Sequence, residues 1–273
     1  MLERIVSNAP IFLLVAARCF ALILTLPLFS SRTIPRIAKI ALTGYMAFFI
    51  FPQVSFASGP YAAYASFIAK DGSFNLGYIF LLLGEGMIGI IMGFYISMIF
   101  AAFSTAGQFF SFQMGFSASE VYDAMSQVEN PLMGQYFNLI AMLIFMQGRW
   151  FQKLFLGGLV ASFKSINAFS IVNHQQQLLT FMLGGLTTLF KDALVISLPI
   201  MGTLFLINLA MGVLTKAAPQ MNLMSEGFSI MMLMAFFIIT VLMPVLCDYF
   251  LDSFSDGFRQ LEVLFTQLSK GTS

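Results

Sequence analysis

Long apolar stretches separated by short polar links make up most of this chain. No charged residue occurs in 40–69, 86–119, 193–215 or 227–247. Each of these stretches reaches the length of about 20 residues that a helix needs to cross the hydrocarbon core of a bilayer. Lipid offers no partner to backbone polar groups, so helices are expected, and the short alternating segments typical of a membrane β-barrel are not seen. The pattern predicts an all-α, multi-helix integral membrane protein.

The apolar runs also predict where the helices lie. Pro199 and Pro244 lie inside two of these runs, where proline disturbs a helix. The fold class expected is a multi-helix membrane protein with kinked helical hairpins. Leu76–Ser119 is too long for one span and is expected to combine a long helix with a re-entrant or hairpin portion. Residues 248–273 are expected to form an amphipathic acidic tail of a single membrane domain, 1–273. The other candidates are Pro10–Phe29, Ile40–Phe56, Leu132–Gln147, Leu154–Phe163, Leu178–Phe190, Ala193–Thr215 and Gly227–Cys247.

Composition narrows the classes of function. Charged residues make up 9% of the chain and hydrophobic residues 59%, and the mean hydropathy is +0.89. The net charge of +1 argues against a nucleic-acid partner, which favours a basic face. The single histidine excludes a histidine-cluster metal site, and both cysteines, Cys19 and Cys247, lie in apolar runs and are expected as buried thiols. We therefore expect no cofactor.

The basic residues are distributed unevenly. By the positive-inside rule, the link that contains Arg32, Arg36 and Lys39 is expected on the cytoplasmic side. No lysine or arginine occurs from Asp71 to Gly148, so the rule gives no orientation there. We interpret this middle third as a region that packs against other protein.

A glycine pattern in the third apolar run has two possible explanations. Residues 84–89 match the dinucleotide motif G-x-G-x-x-G, but they lie inside an apolar run and no acidic residue follows about 20 positions later, so a nucleotide site is rejected. Small residues also recur every fourth position, which predicts a helix face that another helix can approach closely. That partner helix could belong to this chain or to another subunit. The face comprises Gly89, Gly93, Ser97 and Ala101.

Glu85 and Arg18 are charged residues within apolar runs. Charged groups at such positions are functional candidates by default, because an unpaired charge in lipid is unfavourable. The structural alternative, which we favour, is that Glu85 is a partner for a basic group such as Arg18 or for the backbone amides of a helix end. A structural carboxylate should be replaced better by glutamine than by leucine, whereas a proton-coupled carboxylate should tolerate neither.

Two further segments are candidates for function. A dense bulky cluster in residues 109–116 is either lipid-facing packing or a hydrophobic constriction that gates a pore by excluding water. The second candidate is a polar break between the last two apolar runs. A tight turn without a further function would explain it equally well, since proline cannot continue a helix. The cluster comprises Phe109, Phe110, Phe112, Met114 and Phe116, and the break includes Lys216, Pro219, Gln220 and Asn222.

Four motifs in order resemble the FliR family, the export-gate component of flagellar and virulence type III secretion systems. The resemblance runs from about residue 10 to residue 262. Its most specific part is A-G-Q at 106–108 together with F-Q-M-G-F-S at 112–117. The other motifs are A-R at 17–18 with P-L-F at 27–29, G-E at 84–85 with Gly89 and Gly93, and N-L-A-M-G at 208–212 with K-A-A-P-Q-M-N at 216–222.

The resemblance implies a function and a set of partners. It implies a non-enzymatic subunit of the flagellar export gate in the bacterial cytoplasmic membrane, within the flagellar basal body. FliP-, FliQ- and FlhB-like subunits, unfolded export substrates and the lipid membrane would be its partners. Residues 107–123 would form a plug-like loop that faces the conduit. The rival hypotheses are a small secondary transporter or ion channel that uses Glu85 and Arg18, or a virulence injectisome subunit.

Overall fold

The computed structural model describes residues 5–6, 8–30, 34–54, 60–68, 75–115, 132–217 and 223–270. Helices dominate these residues, and no strand occurs among them. This confirms the prediction of an all-α protein.

The first half of the chain contains two shorter helices and one long helix. Helix α1 is Ala9–Thr25, α2 is Arg36–Ile50 and α3 is Leu76–Gln113. A short helix, Pro27–Ser30, follows α1. Two 3₁₀ segments, Phe51–Gln53 and Pro60–Ser66, lie between α2 and α3.

The second half begins with short helices and ends with two long ones. Helix α4 is Leu132–Gln147, and a short helix, Trp150–Gln152, leads into a π-helix at Lys153–Leu159. The remaining helices are α5 (Val160–Ser165), α6 (Ala168–Asn173), α7 (Gln175–Ala217) and α8 (Leu223–Lys270).

Three helices among the described residues are long and apolar enough to cross a membrane, namely α3, α7 and the Ser229–Ser269 part of α8. Their continuity corrects two expectations from the sequence. Helix α3 runs unbroken to Gln113 with no hairpin within it, and the runs 178–190 and 193–215 form one helix. Residues 248–270 continue α8, and the acidic amphipathic tail stays a prediction. A continuous helix pairs its interior backbone groups, so a few polar residues within an apolar run do not end it. The exceptions are at Pro199 and Pro244, which have no N–H to donate.

The chain divides into two compact units. Unit 1 comprises Met1–Met98, Arg149–Gly185 and Phe254–Ser273, and unit 2 comprises Ile99–Gly148 and Leu186–Ser253. Each of α3, α7 and α8 therefore contributes residues to both units. A single domain over 1–273 stays a prediction.

In unit 1, the small face of α3 packs against α1. A side chain at Gly89 would meet the Arg18 carbonyl oxygen and the Ala21 methyl group. A side chain at Gly93 would meet Thr25, and the Ser97 hydroxyl donates to the Thr25 carbonyl oxygen at 2.7 Å. These three small residues therefore serve packing within the chain.

In unit 2, the end of α3 packs against α4 and α8 through aromatic rings. Phe103 stacks on Phe250 with ring centroids 3.9 Å apart, and Phe110 meets Phe137 edge-to-face at 5.2 Å. A side chain at Gly107 would meet the backbone of Met133, so this glycine lets the two helices approach closely. Ala101, the last member of the predicted small face, lies in this unit and is half-buried.

The α1–α3 contact predicts opposite effects for two glycines on one helix. Gly89→Ala should destabilise the fold by about 1–3 kcal/mol, because the added methyl group meets the α1 backbone, which cannot move aside as a side chain could. Gly86→Ala is the matched control, since no atom lies within 4 Å of its added methyl group, and alanine stabilises a helix by about 1 kcal/mol relative to glycine. Thermal unfolding of the purified protein in detergent measures both effects. Equal melting temperatures for the two variants would contradict the packing.

Candidate functional site: a buried arginine–glutamate cluster

Arg18 of α1 and Glu85 of α3 form an ion pair in the interior of unit 1. Both side chains are 0% exposed. The guanidinium Nη2 lies 2.7 Å from the Glu85 Oε2 atom, and Nε donates to the same oxygen at 2.7 Å. The structure thus brings together the two charges that the sequence placed in separate apolar runs.

The remaining donors of Arg18 reach residues after the π-helix. Nη1 donates to the Ser162 hydroxyl at 3.0 Å, and Nη2 donates to the Ile166 carbonyl oxygen at 3.1 Å. The guanidinium also lies 4.2 Å from the centroid of the Phe163 ring, a favourable cation–π distance. Arg18 therefore ties α1 to α5 as well as to α3.

The Glu85 carboxylate accepts hydrogen bonds from two buried tyrosines of the 3₁₀ segment Pro60–Ser66. The Tyr64 hydroxyl donates to Oε1 at 2.7 Å, and the Tyr61 hydroxyl lies 3.3 Å from both carboxylate oxygens. The Tyr64 oxygen in turn accepts from the backbone N–H of Ala168. Burial raises the pKa of both phenols, and the nearby Glu85 charge raises it further, so both hydroxyls stay protonated as donors.

Local sequence features allow these segments to converge. Gly84 faces the Ala168 methyl group so closely that a side chain there would collide with it. Helix α6 begins at a capping box in which the Asn167 side chain accepts from the Ser170 N–H at 2.9 Å. The Ser162 hydroxyl donates back to the Leu159 carbonyl oxygen at 2.7 Å, which leaves its lone pairs to accept from Arg18. Packing thus explains Gly84 and Gly89 of the glycine pattern, whereas Gly86 has no atom within 4 Å of an added methyl group.

The cluster has the chemistry of a structural tie. Each Glu85 oxygen accepts from at least one donor, and Arg18 donates to the carboxylate, to a hydroxyl and to a carbonyl oxygen. A proton relay needs a carboxylate that exchanges partners, and this one is enclosed by fixed donors. Within the described residues, no group of three or more His, Cys, Asp or Glu side chains is placed to hold a metal ion.

The bulky cluster in residues 109–116 lies mostly within a helix over its described part. Residues 107–113 belong to α3, and Gly115 follows in the left-handed region with φ 82°. Phe110 and Met114, four residues apart on one helix face, are 0% exposed, whereas Phe112 is 65% exposed and Phe109 is half-buried. The predicted loop start is therefore wrong, and two of the gate candidates pack inside unit 2.

The other candidate residues lie at or beyond the edges of the described segments. Lys216 is exposed in the last turn of α7. Phe116, Pro219, Gln220 and Asn222 lie outside the described residues.

Sequence reasoning missed several members of the cluster. Tyr61 and Tyr64 lie in a Gly/Pro-rich stretch, where tyrosine is also typical of the membrane–water boundary. Their spacing of three residues on a helical turn is the signal that both hydroxyls can reach one acceptor. Ser162 and Phe163 carry no comparable local signal, because their role depends on the return of the chain after α4.

The cluster predicts strong coupling between Arg18 and Glu85. Glu85→Leu and Arg18→Leu should each destabilise the protein by about 3–5 kcal/mol, because each leaves an uncompensated buried charge. The double variant should be less destabilised than the sum of the singles, with a coupling of about 2–3 kcal/mol. Glu85→Gln should also destabilise the protein, because the amide leaves the guanidinium without a counter-charge, but it should do so less than leucine, since the amide oxygen still accepts a hydrogen bond.

Chemical unfolding of the purified variants measures these free energies. Asp256→Asn is the control. Asp256 pairs with Arg259 at 2.9 Å, but the two side chains are 61% and 74% exposed, and exposed ion pairs contribute little to stability. Additive effects of the Arg18 and Glu85 substitutions would contradict the cluster.

Comparison with known proteins identifies the family. Residues 9–257 match the bacterial export proteins, family 1. The chain is 29% identical over 249 residues, 90% of each chain, to the flagellar biosynthetic protein FliR of Bacillus subtilis (strain 168). It is 27% identical over 254 residues to FliR of Escherichia coli (strain K12), covering 92% of this chain and 91% of that protein.

A relative with a different name matches a shorter region. The surface presentation of antigens protein SpaR of Shigella flexneri is 30% identical over 166 residues, which are 59% of this chain and 62% of that protein. The family match spans nearly the whole chain, and it confirms the resemblance drawn from the four motifs. This protein is a member of the bacterial export proteins, family 1, the family of FliR.

Proposed function

We propose that this chain is a non-enzymatic subunit of a type III protein-export gate in the bacterial cytoplasmic membrane. Its membership of the export protein family over residues 9–257 carries the proposal. The three long apolar helices support a membrane location. In this role the chain completes the wall of a conduit for unfolded polypeptides and helps to keep that conduit closed.

The flagellar system is the version of this function that we favour. The FliR relatives of Bacillus subtilis and Escherichia coli match at least 90% of this chain, whereas SpaR of Shigella flexneri matches 59%. The partners proposed are FliP-, FliQ- and FlhB-like subunits. Apolar side chains exposed on α7 and α8, such as Leu198, Phe205 and Val245, offer surfaces for lipid or for such subunits.

The rival function, a small transporter or channel that uses Arg18 and Glu85, is less consistent with the site. A transport carboxylate has to release its partners during each cycle. Glu85 is fully buried and accepts from Arg18, Tyr61 and Tyr64 at once. The ion pair is better explained as a tie that gives unit 1 its shape.

The assembly proposal predicts both a complex and a phenotype. Purification of the tagged chain from its native membranes should recover FliP- and FliQ-like subunits, identified by mass spectrometry. Deletion of the gene should abolish secretion of flagellar export substrates, and restoring the wild-type gene should recover it. A stable monomer together with normal secretion after deletion would contradict the proposal and favour the transporter.

Two phenylalanines at the end of α3 test the proposed seal. Phe112 is 65% exposed, so Phe112→Ala should leave stability within about 0.5 kcal/mol while raising the ion permeability of cells that overproduce the assembled gate. Phe110→Ala is the matched comparison, because it removes a fully buried ring and should destabilise the fold by about 3–5 kcal/mol. An intact complex of the Phe112 variant with unchanged permeability would remove Phe112 from the seal.

A further inference from the structure

A groove of about 430 Å³ lies within unit 1, between the first turns of α7 and the last turns of α8. This volume is in the range of ordinary ligand sites in proteins. The residues on its α7 side include Gln176, Thr180 and Phe181. Those on its α8 side include Gln260, Val263 and Gln267. None of these residues belongs to the ion-pair cluster, and the proposed function has not used them.

One buried tyrosine contacts residues on both sides of the groove. Tyr95 of α3 is 3% exposed, and its ring lies 4.4 Å from that of Phe181, centroid to centroid. Its hydroxyl donates to the Gln260 Oε1 atom at 2.8 Å. Because that oxygen accepts from Tyr95, the amide NH₂ group of Gln260 is held as an oriented donor. Tyr95 therefore contacts both sides of the groove.

A glycine of α7 allows the contact between this helix and the Tyr95 ring. A side chain at Gly185 would lie 3.1 Å from the Tyr95 ring and from the Met98 sulfur atom. A methyl group there would require the Tyr95 ring or the Met98 side chain to shift by a few tenths of an ångström, and glycine lets α7 approach without that shift. The position of Phe181, one turn earlier on the same helix, depends on that approach.

The lining is rich in amides and contains one charged residue, Arg259. The Arg259 side chain is 74% exposed and pairs with Asp256 at 2.9 Å. A glutamine amide both donates and accepts hydrogen bonds, as a peptide group does. Gln260 and Gln267 are seven residues apart on α8, which is about 10.5 Å along the helix. Three residues of an extended polypeptide span about 10 Å, and Val263 lies between the two amides as an apolar contact.

We propose that this groove binds a short, extended, uncharged segment of the polypeptide being exported. Amides on the rim hydrogen-bond to its main chain, while Phe181 and Val263 contact its side chains. Binding through the main chain does not depend on sequence, which suits a site that must accept many unfolded chains. The proposal rests on the export function proposed above, and it identifies the groove as a place where the chain contacts the exported polypeptide.

Photocrosslinking in cells tests this contact. A photoreactive amino acid replaces Val263, which is 50% exposed, and the probe is a flagellar export substrate fused to a stably folded domain that arrests it during export. The matched control places the same amino acid at Thr266, an exposed residue of the same helix outside the groove. We expect the arrested substrate to crosslink to position 263 and not to position 266. Crosslinking of position 263 to another subunit, to lipid alone, or to nothing would overturn the proposal.

A filling variant gives a second readout. Val263→Trp should occupy the groove and abolish most secretion while the complex is recovered in normal yield, and Thr266→Trp should secrete normally. Normal secretion by Val263→Trp would also overturn the cargo contact. A wrong cargo contact and a wrong export function give different results. If the export function itself were wrong, deletion of the whole gene would leave secretion unchanged.

Discussion

The buried pair of Arg18 and Glu85 is the interaction on which the rest of unit 1 depends. Two charges with no exposed surface are tolerated in an apolar interior only when every donor and acceptor around them is satisfied. That requirement recruits Tyr61 and Tyr64 from the 3₁₀ segment and Ser162 from α5. Segments far apart in the sequence thus contact the same ion pair. Each of them would lose a hydrogen bond to a charged group if it moved away.

Close approach of helices makes this convergence possible. Gly84 and Gly89 flank Glu85 on α3 and admit α6 and α1 to contact distance. Gly185 plays the same part farther along, where α7 meets the Tyr95 ring. The ion pair and the polypeptide groove proposed here therefore rest on the same helix, α3, whose small residues decide which helices can lie against it.

Some of this architecture could be predicted from the sequence. Charge-free runs predicted the helical membrane class, because lipid leaves the backbone few alternatives, and the four-residue spacing of Gly89, Gly93 and Ser97 predicted a packing face. The burial of Phe110 and Met114 was also within reach, since residues four apart share a helix face. The contact of Tyr61 and Tyr64 with Glu85 could not be predicted, because it depends on how a non-periodic link folds back across the α1–α3 contact.

The central claim is that Arg18 and Glu85 form a permanent tie rather than a working transport pair. The most direct test is a cryo-electron microscopy structure of the assembled complex in two states, at rest and with an export substrate arrested inside. The account predicts that the Arg18 guanidinium and the Glu85 carboxylate remain within hydrogen-bonding distance in both, with the Tyr64 hydroxyl still on the carboxylate. A separated pair, or a carboxylate that faces water in the substrate-engaged state, would contradict it.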